Sequence, residues 1–501
     1  MGIKASLSKP FATFIAQKNK KWSKQPIDTQ RRVFYQLIAS AESTVFGKDH
    51  KFSTIKSYED FKRLVPIRSY SDFEPYIEKI KKGEENILWP GKPLYLSKTS
   101  GTTSGAKYIP ISKASMPNHL HGVRDAILHY IAETGNTHFV DHKMIFIQGS
   151  PKLDTSSKVP IGRLSGIAAH HVPPYLQKNR MPSYETNCIS NWEEKIDAIC
   201  RETLPEKMSL ISGIPPWVQM YFERLIAISG KKDIQSIFPD FSLFIYGGVN
   251  YEPYRNRMEK LIGKSVDSIE LYPASEGFIA FQDSQEEDGM LLLLNSGIFY
   301  EFIPADQFFE DNPPRLSIED VELGVNYVII LNTNAGLWGY NLGDTVRFVN
   351  KDPYKIVVSG RIKHYTSAFG EHVIVEEVEK AIAYACNELN VEVAEFHLAP
   401  EVNPPEGELP YHEWFIEFTS KEVDLQSFQQ ILDMKLRQLN PYYKDLINGK
   451  ILQTLKIHTI PEGGFKAYMK SKGKLGGQNK LPRLANNRTI AEDLKEIEKY
   501  F

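Results

Sequence analysis

Twice in succession the chain runs an apolar strand-like segment into a glycine-containing turn and then into an amphipathic helix. MSLISGIPPWVQMYFERLIAI starts as a strand at Met208, turns at Gly213 to Pro216 and continues as a helix. FSLFIYGGVNYEPYRNRMEKLIG, from Phe241, repeats that plan around Gly247-Gly248, and SIELYPASEG, from Ser268, is a third strand ending in a polar loop. Successive strand-turn-helix units dictate an α/β sheet, and in such sheets ligands bind where the strands end. The chemistry of this chain is therefore to be sought in its turns.

The most chemical of these stretches lies upstream, from Leu96 to Ser112, LSKTSGTTSGAKYIPIS. Gly101 and Gly105 let the backbone adopt positive φ and approach a ligand, while Thr99, Ser100, Thr102, Thr103 and Ser104 supply hydroxyl donors beside backbone N–H groups. Lys107 adds a mobile positive charge. A Walker loop, G-x-x-x-x-G-K-[ST], would need glycine in place of Ala106 and Ser or Thr in place of Tyr108, and it would open a helix. Here Leu94 and Leu96 before the loop and Tyr108, Ile109 and Ile111 after it read as extended. A hairpin-like phosphate loop fits the pattern, with an ordinary Ser/Gly-rich surface turn as its rival.

Elsewhere the pattern alternates helices and strands. Val33, Phe34, Leu37, Ile38 and Ala41 predict a helix after an Asp28 cap; Ala126, Ile127, Tyr130 and Ile131 predict another after Ser112; MIFIQGS, from Met144, reads as a buried strand. Beyond Gly360 the pattern changes. A helix with Val378, Ile382, Ala385 and Leu389 precedes strands at Val391 to Leu398 and Tyr411 to Thr419. A second helix, with Leu425, Phe428, Leu432, Leu436 and Leu439, then leads to a strand near Ile451 to Ile460. The expected division is a large α/β domain over 1–359 and a smaller α+β domain over 360–501.

Composition narrows the function classes. Lys plus Arg at 60 against Asp plus Glu at 62 creates no global field for nucleic acid or an anionic membrane. Three cysteines, Cys188, Cys200 and Cys386, in no metal-type pairing favour a reducing compartment and free thiols. No signal peptide or membrane-length apolar run is present, so the expected location is cytoplasmic. The histidines at 119, 121, 138, 142, 170 and 171 lack zinc-site spacing and companions. No nucleophilic triad emerges. Trp217, Tyr221 and Phe222 read as core. Arg124, Arg163 and Arg180 are each of a type that pairs a substrate carboxylate, with surface roles as the rival reading.

Three further segments carry chemistry. Tyr272-Pro273-Ala274-Ser275-Glu276-Gly277 puts an aromatic ring, small residues and one carboxylate at a strand end, suited to a stacked base and a hard cation. Tyr340-Asn341-Leu342-Gly343-Asp344 follows the strand YVIILNT and ends in a carboxylate able to accept from a ribose diol. Gly360-Arg361-Ile362-Lys363-His364 sits at the change of pattern, as a hinge does.

In this order and spacing the four segments resemble the adenylate-forming superfamily of acyl-CoA synthetases, luciferases and peptide-synthetase adenylation domains. Within it the chain is similar to the auxin-responsive acyl-acid amido synthetases, whose plant members join hormones such as indole-acetate or jasmonate to amino acids. The likeness spans nearly the whole chain, including STVFGKDHKFSTIKSYEDFKRLVPI near Ser43 and GGFKAYMKSKGKLGGQNKLPRL from Gly463, with its Gly477-Gln478-Asn479-Lys480-Leu481-Pro482-Arg483 signature.

The resemblance implies ATP and Mg²⁺, a small-molecule carboxylic acid and an amino acid as partners, a small C-terminal lid, and no obligate protein partner. It implies that Ser100, Gly101, Thr102, Thr103 and Lys107 line the ATP phosphates and that Tyr272 and Ser275, with Gly247 and Gly248, border the adenine. Glu276 would help hold Mg²⁺, Asp344 the ribose hydroxyls, and Arg361 would bridge nucleotide and hinge. Lys480 would be the lysine delivered by the small domain. The hinge falls at Lys363 or at His364, which stands where many members have aspartate. An acid-thiol ligase using CoA shares the first half-reaction, and a catalytically silent adenylate-binding homologue shares the fold.

Overall fold

The structure is a computed structural model that describes all residues except 1–2, 100–106, 174–176, 249–250, 363–364, 367–372, 403, 406–407, 421, 449–450, 476–479, 486 and 498–501. It contains two compact units. The first comprises 1–249, 261–342 and 346–357; the second comprises 250–260, 343–345 and 358–501.

In chain order the strands are β1 (Tyr95–Thr99), β2 (Lys107–Ile111), β3 (Lys143–Phe146), β4 (Ile161–Gly162), β5 (Arg180–Met181), β6 (Met208–Ser212) and β7 (Leu243–Gly247). They continue with β8 (Asp267–Ala274), β9 (Gly277–Phe281), β10 (Met290–Leu292), β11 (Ile298–Pro304), β12 (Asn326–Thr333), β13 (Tyr340–Lys351) and β14 (Tyr354–Arg361). One sheet has the order β11-β12-β13-β14-β10-β9-β8-β7-β6-β3-β5. Within it β5, β3, β6, β7 and β8 are parallel, and β9 turns back antiparallel to β8.

Parallel strands are covered on both faces, which is why they read as continuous apolar runs. Leu210, Ile211, Leu243, Phe244, Ile245 and Ile269 are all buried. The helix Pro215–Ser229 starts on two prolines, whose fixed φ suits a first turn, and stops at Gly230 with φ +65°. The helix Met116–Thr134 lies where the spacing after Ser112 placed it. A second, three-stranded sheet, β2-β1-β4, carries the Leu96–Ser112 segment.

The expected N-terminal helix is Pro26–Ala41, and its five periodic residues are all buried. Its start differs from expectation. Gln25 flanks the helix and Pro26 opens it, so Asp28 sits in the first turn and pairs with Arg31 at 3.1 Å. A preceding helix, Ile3–Ser23, was masked in the sequence by its scant apolar face: Ala12, Ile15 and Trp22 are buried, whereas Leu7, Phe11 and Phe14 are exposed.

The second unit has a sheet of β17 (Val393–Glu401), β18 (Tyr411–Phe418) and β19 (Lys456–Ile460), after the short pair β15 (Tyr365–Thr366) and β16 (Val373–Ile374). Alternation sends Phe396, Leu398, Trp414 and Ile416 to one face, against Val378, Ile382, Phe428, Leu432 and Leu436 of the helices Val375–Leu389 and Leu425–Leu439. Ala399 and Phe415 face the other side, with Phe465, Tyr468 and Leu494.

In the first turn of the helix Val375–Leu389, burial pushes the Glu377 carboxyl up to about 6, although it accepts from Ile374 N at 3.1 Å and Asn440 Nδ2 at 2.9 Å. A carboxyl whose folded pKa is raised stabilises the fold at pH below its unfolded value near 4.5, and that contribution is lost as pH rises through 6. Glutamine keeps an acceptor for both donors. Glu377→Gln should therefore gain up to about 2 kcal/mol on the native protein between pH 4.5 and pH 7, read as the difference between their denaturation midpoints at the two pH values. Equal pH dependence in both proteins would refute it.

Candidate functional site

The first unit brings the turns of its parallel strands to one edge. Gln148 and Gly149 follow β3, Gly213 follows β6, Gly247 ends β7 with Gly248 after it, and Ser275 and Glu276 follow β8. At Gly247 a Cβ would lie 2.5 Å from the Leu271 carbonyl oxygen, and Gly248 has φ +77°. Neither position accepts a side chain without strain, so this glycine pair is demanded by the backbone.

The Leu96–Ser112 segment is a hairpin, as its flanks predicted. β1 and β2 are antiparallel with Thr99 opposite Lys107, so both ends of the loop are pinned although Ser100, Gly101, Thr102 and Thr103 lie outside the described residues. Tyr70 holds the return strand: its hydroxyl accepts from Tyr108 N at 2.8 Å, and Lys107 Nζ lies 5.8 Å from its ring centroid. Inside β1, Ser97 is fully buried and its Oγ lies 2.8 Å from Ser275 Oγ. One hydrogen bond thus joins the hairpin to the turn after β8.

At that turn Glu276 is only 8 % exposed, and its Oε1 accepts from the Tyr340 hydroxyl at 3.2 Å. Tyr272, two residues before the end of β8, is buried. Pro273 falls at a register shift in the β8–β9 pairing, where the ladder is already interrupted and a missing N–H costs little. Tyr340 is itself over-determined. Arg68 N donates to Gly339 O and Arg68 O accepts from Asn341 N, each at 2.8 Å, and the Phe73 ring meets the Tyr340 ring edge-on at 5.8 Å.

Three of the four sequence segments therefore meet: the hairpin through Ser97, the β8 turn through Ser275 and Glu276, and the start of β13 through Tyr340. Neither Ser97 nor Tyr340 carries a role that its place in the sequence reveals. Their only sequence signal was a hydroxyl beside a motif, and pairing across 178 residues is invisible in a string. A buried carboxylate is an oxygen ligand of the kind Mg²⁺ takes, usually with substrate phosphates and water completing the shell. Among the described residues no group of three or more His, Cys, Asp or Glu side chains is placed to hold a metal.

The remaining predicted residues belong to the second unit. Asp344 is half-buried within β13, four residues after Tyr340. Arg361 ends β14, and Lys363 and His364 lie outside the described residues. Lys480 is exposed at the start of a segment that is firmly tied: Leu398 N donates to Arg483 O at 2.9 Å, Ala485 N donates to Leu398 O at 3.0 Å, and His397 Nδ1 lies 2.6 Å from Pro482 O. Arg483 is buried between Glu379 and Glu395, its guanidinium 4.9 Å from the ring centroids of Tyr254 and Phe396. The signature's terminal arginine is thus its anchor.

The residues given ordinary readings behave so. Trp217, Tyr221 and Phe222 are core, and burial pushes His119 down to about 4, leaving it neutral at pH 7. Cys188, Cys200 and Cys386 are free thiols. Of the three arginines singled out, Arg124 pairs with Asp125 at 2.7 Å and Arg180 lies 4.7 Å over the Phe146 ring. Arg163 is half-buried beside Gly149.

Residues 16–186, 291–361 and 376–489 match the N-terminal, central and C-terminal domains of the GH3 family. The chain is 24 % identical over 357 residues to jasmonoyl-L-amino acid synthetase JAR4 of Nicotiana attenuata, a match spanning 57 % of this chain and 60 % of that protein. It is 22 % identical over 547 residues to jasmonoyl-L-amino acid synthetase GH3.5 of Oryza sativa, spanning 92 % and 91 %. The solved AtGH3.15 acyl acid amido synthetase in complex with 2,4-DB superposes with a TM-score of 0.78 over 97 % of this chain and 95 % of that one. At 15 % identity that likeness is one of fold.

Proposed function

The chain belongs to the GH3 family, and from that premise we propose that it is an ATP-dependent acyl-acid amido synthetase. It converts a carboxylic acid to an acyl-adenylate with release of pyrophosphate, then passes the acyl group to an amino acid. The observation that carries this reading is the pair of hydrogen bonds, Ser97 to Ser275 and Tyr340 to Glu276, that draws three distant motifs into one place.

A carboxylate is a poor electrophile, and its attack on the α-phosphate of ATP builds negative charge on the phosphate oxygens. Lys107, at the closing end of the hairpin, and Lys480 are the cations assigned to offset that charge. Ser100, Gly101, Thr102 and Thr103 supply donors to the phosphates. Mg²⁺, when bound, supplies further charge neutralisation, and Glu276 would hold it. Tyr272, Gly247 and Gly248 border the adenine in this reading, with Ser275 among the nucleotide-binding residues; Asp344 takes the ribose hydroxyls, Arg361 bridges nucleotide and hinge, and Lys363 or His364 is the hinge between residues 1–359 and a mobile unit over 360–501.

No helix among the described residues is long and apolar enough to cross a membrane. With three free thiols, a cytoplasmic enzyme acting on small molecules is the consistent assignment. The deciding experiment is a matrix of acids against amines scored for pyrophosphate release and product mass. Amino-acid-dependent AMP release supports the synthetase; thiol-dependent release makes it an acid-thiol ligase; no turnover with any acid removes the ligase reading. Within an active matrix, Asp344→Ala should raise the KM for ATP by about tenfold, the scale of hydrogen bonds to a charged acceptor, with little change in the KM for the acid.

A further inference from the structure

Where β3 ends, a buried lysine, a half-buried arginine and a buried hydroxyl oxygen converge with no counter-ion among the described residues. Lys195 is only 3 % exposed, and its Nζ donates to two carbonyls, Gln148 O at 2.8 Å and Asn187 O at 2.9 Å. The Arg163 side chain runs along the next residue: a Cβ placed on Gly149 would lie 2.9 Å from Arg163 Cδ, 3.8 Å from Arg163 Nε and 3.7 Å from Ser165 Oγ. No carboxylate pairs with either cation among the described residues, and Ser165 Oγ is buried with no hydrogen-bond partner. Burial pushes Lys195 down to about 8, against an opposing pull from the neighbouring Cys188 and with the smaller effect of the Arg163 charge adding to it, and burial also lowers Arg163.

Like charges are not left together out of water without a reason, because desolvation and repulsion both oppose it. An unpartnered hydroxyl beside them is a third unmet demand, and it is for an acceptor or donor. One anion with hydrogen-bonding oxygens answers all three. A planar carboxylate suits the arginine, whose guanidinium pairs it through two parallel bonds.

The position of this cluster relates it to the adenylation site. β4 runs parallel to β1 with Gly162 opposite Ser97, and Arg163 is the next residue. Ser97 in turn touches Ser275. Yet the ends of β3 and β8 are separated by β6 and β7, three strand spacings or about 14 Å. A carboxylate held by Lys195 is thus beside the reacting centre without being the group that attacks phosphate.

We propose that Arg163, Lys195 and Ser165 bind a carboxylate that adenylation does not consume, carried by the acceptor amino acid or by the far end of a dicarboxylic acyl acid. Only the choice between those two carriers rests on the ligase reading; the site itself is tested by binding. Melting of the full-length protein is to be followed with glycine, L-alanine, L-leucine and L-aspartate, each against its α-carboxamide, and with succinate, glutarate and adipate against hexanoate. At least one carboxylate probe should bind about tenfold or more tightly than its neutral or monoacid counterpart. Arg163→Gln and Ser165→Ala should each remove that preference.

Ser165→Ala is the guarded variant, since its hydroxyl has no bond to lose and the unliganded melting temperature should not fall. Preference confined to amino acids assigns the acceptor; preference confined to diacids assigns the acyl acid. No carboxylate preference in the wild type, or an undiminished one in both variants, overturns the site. Failure of the ligase reading is separate: pyrophosphate release would be absent with every acid while the binding preference persists.

Discussion

Lys480→Ala should slow acid-dependent pyrophosphate release by about 10²- to 10³-fold, the usual cost of removing one preorganised charge stabiliser from a transition state. The structure makes the test clean. Lys480 is exposed, and the segment behind it is held by backbone bonds, Leu398 N to Arg483 O and Ala485 N to Leu398 O, which truncating the side chain leaves in place. Melting temperature should stay within about 1 °C for such a surface change. The competing view is that Lys480 is one charge among several in a basic tail with Lys470, Lys472 and Lys474. Lys472→Ala decides between them. Lys472 already pairs with Asp493 at 2.9 Å, so its loss should leave the rate within a factor of about two. Equal losses in the two variants, or full-rate adenylation by Lys480→Ala, would defeat the assignment.

The second large effect is expected at Glu276. Glu276→Gln keeps the shape and still accepts from the Tyr340 hydroxyl, so the buried turn survives while the charge goes. Adenylation should fall by about 10²-fold, with the Mg²⁺ concentration for half-maximal rate rising in parallel. Chelation by EDTA should abolish the wild-type reaction. Tyr340→Phe removes one hydrogen bond to the same carboxylate and should cost about tenfold or less. If the Gln variant lost rate with an unchanged Mg²⁺ requirement, Glu276 would be a positioning residue for the turn, with the metal held elsewhere.

Much of this was legible along the chain, and for definite reasons. Strand-turn-helix units stand out because parallel strands buried on both faces must be apolar throughout, whereas the covering helices must be apolar on one side. The hairpin reading of the Leu96–Ser112 segment survived because Tyr108, Ile109 and Ile111 have no helical spacing, and β1 pairs β2 as that pattern requires. Where local signals were thin, the reading slipped. The helix Ile3–Ser23 was missed because few of its apolar residues are buried, and Asp28 was misread as a cap because Pro26 starts the helix earlier.

Residue type and order along the chain were thus enough to single out the Leu96–Ser112, Tyr272–Glu276 and Tyr340–Asp344 segments and the terminal lysine signature, since each is a local arrangement dictated by backbone freedom and charge. Only the tertiary structure decided that Ser97 meets Ser275, that Tyr340 meets Glu276, and that Arg163 and Lys195 share the end of β3 with no carboxylate paired to either among the described residues. Those facts depend on strand order. A sequence records which groups can donate, accept or carry charge, but which of them are taken out of water together is fixed by the packing of elements far apart in the chain.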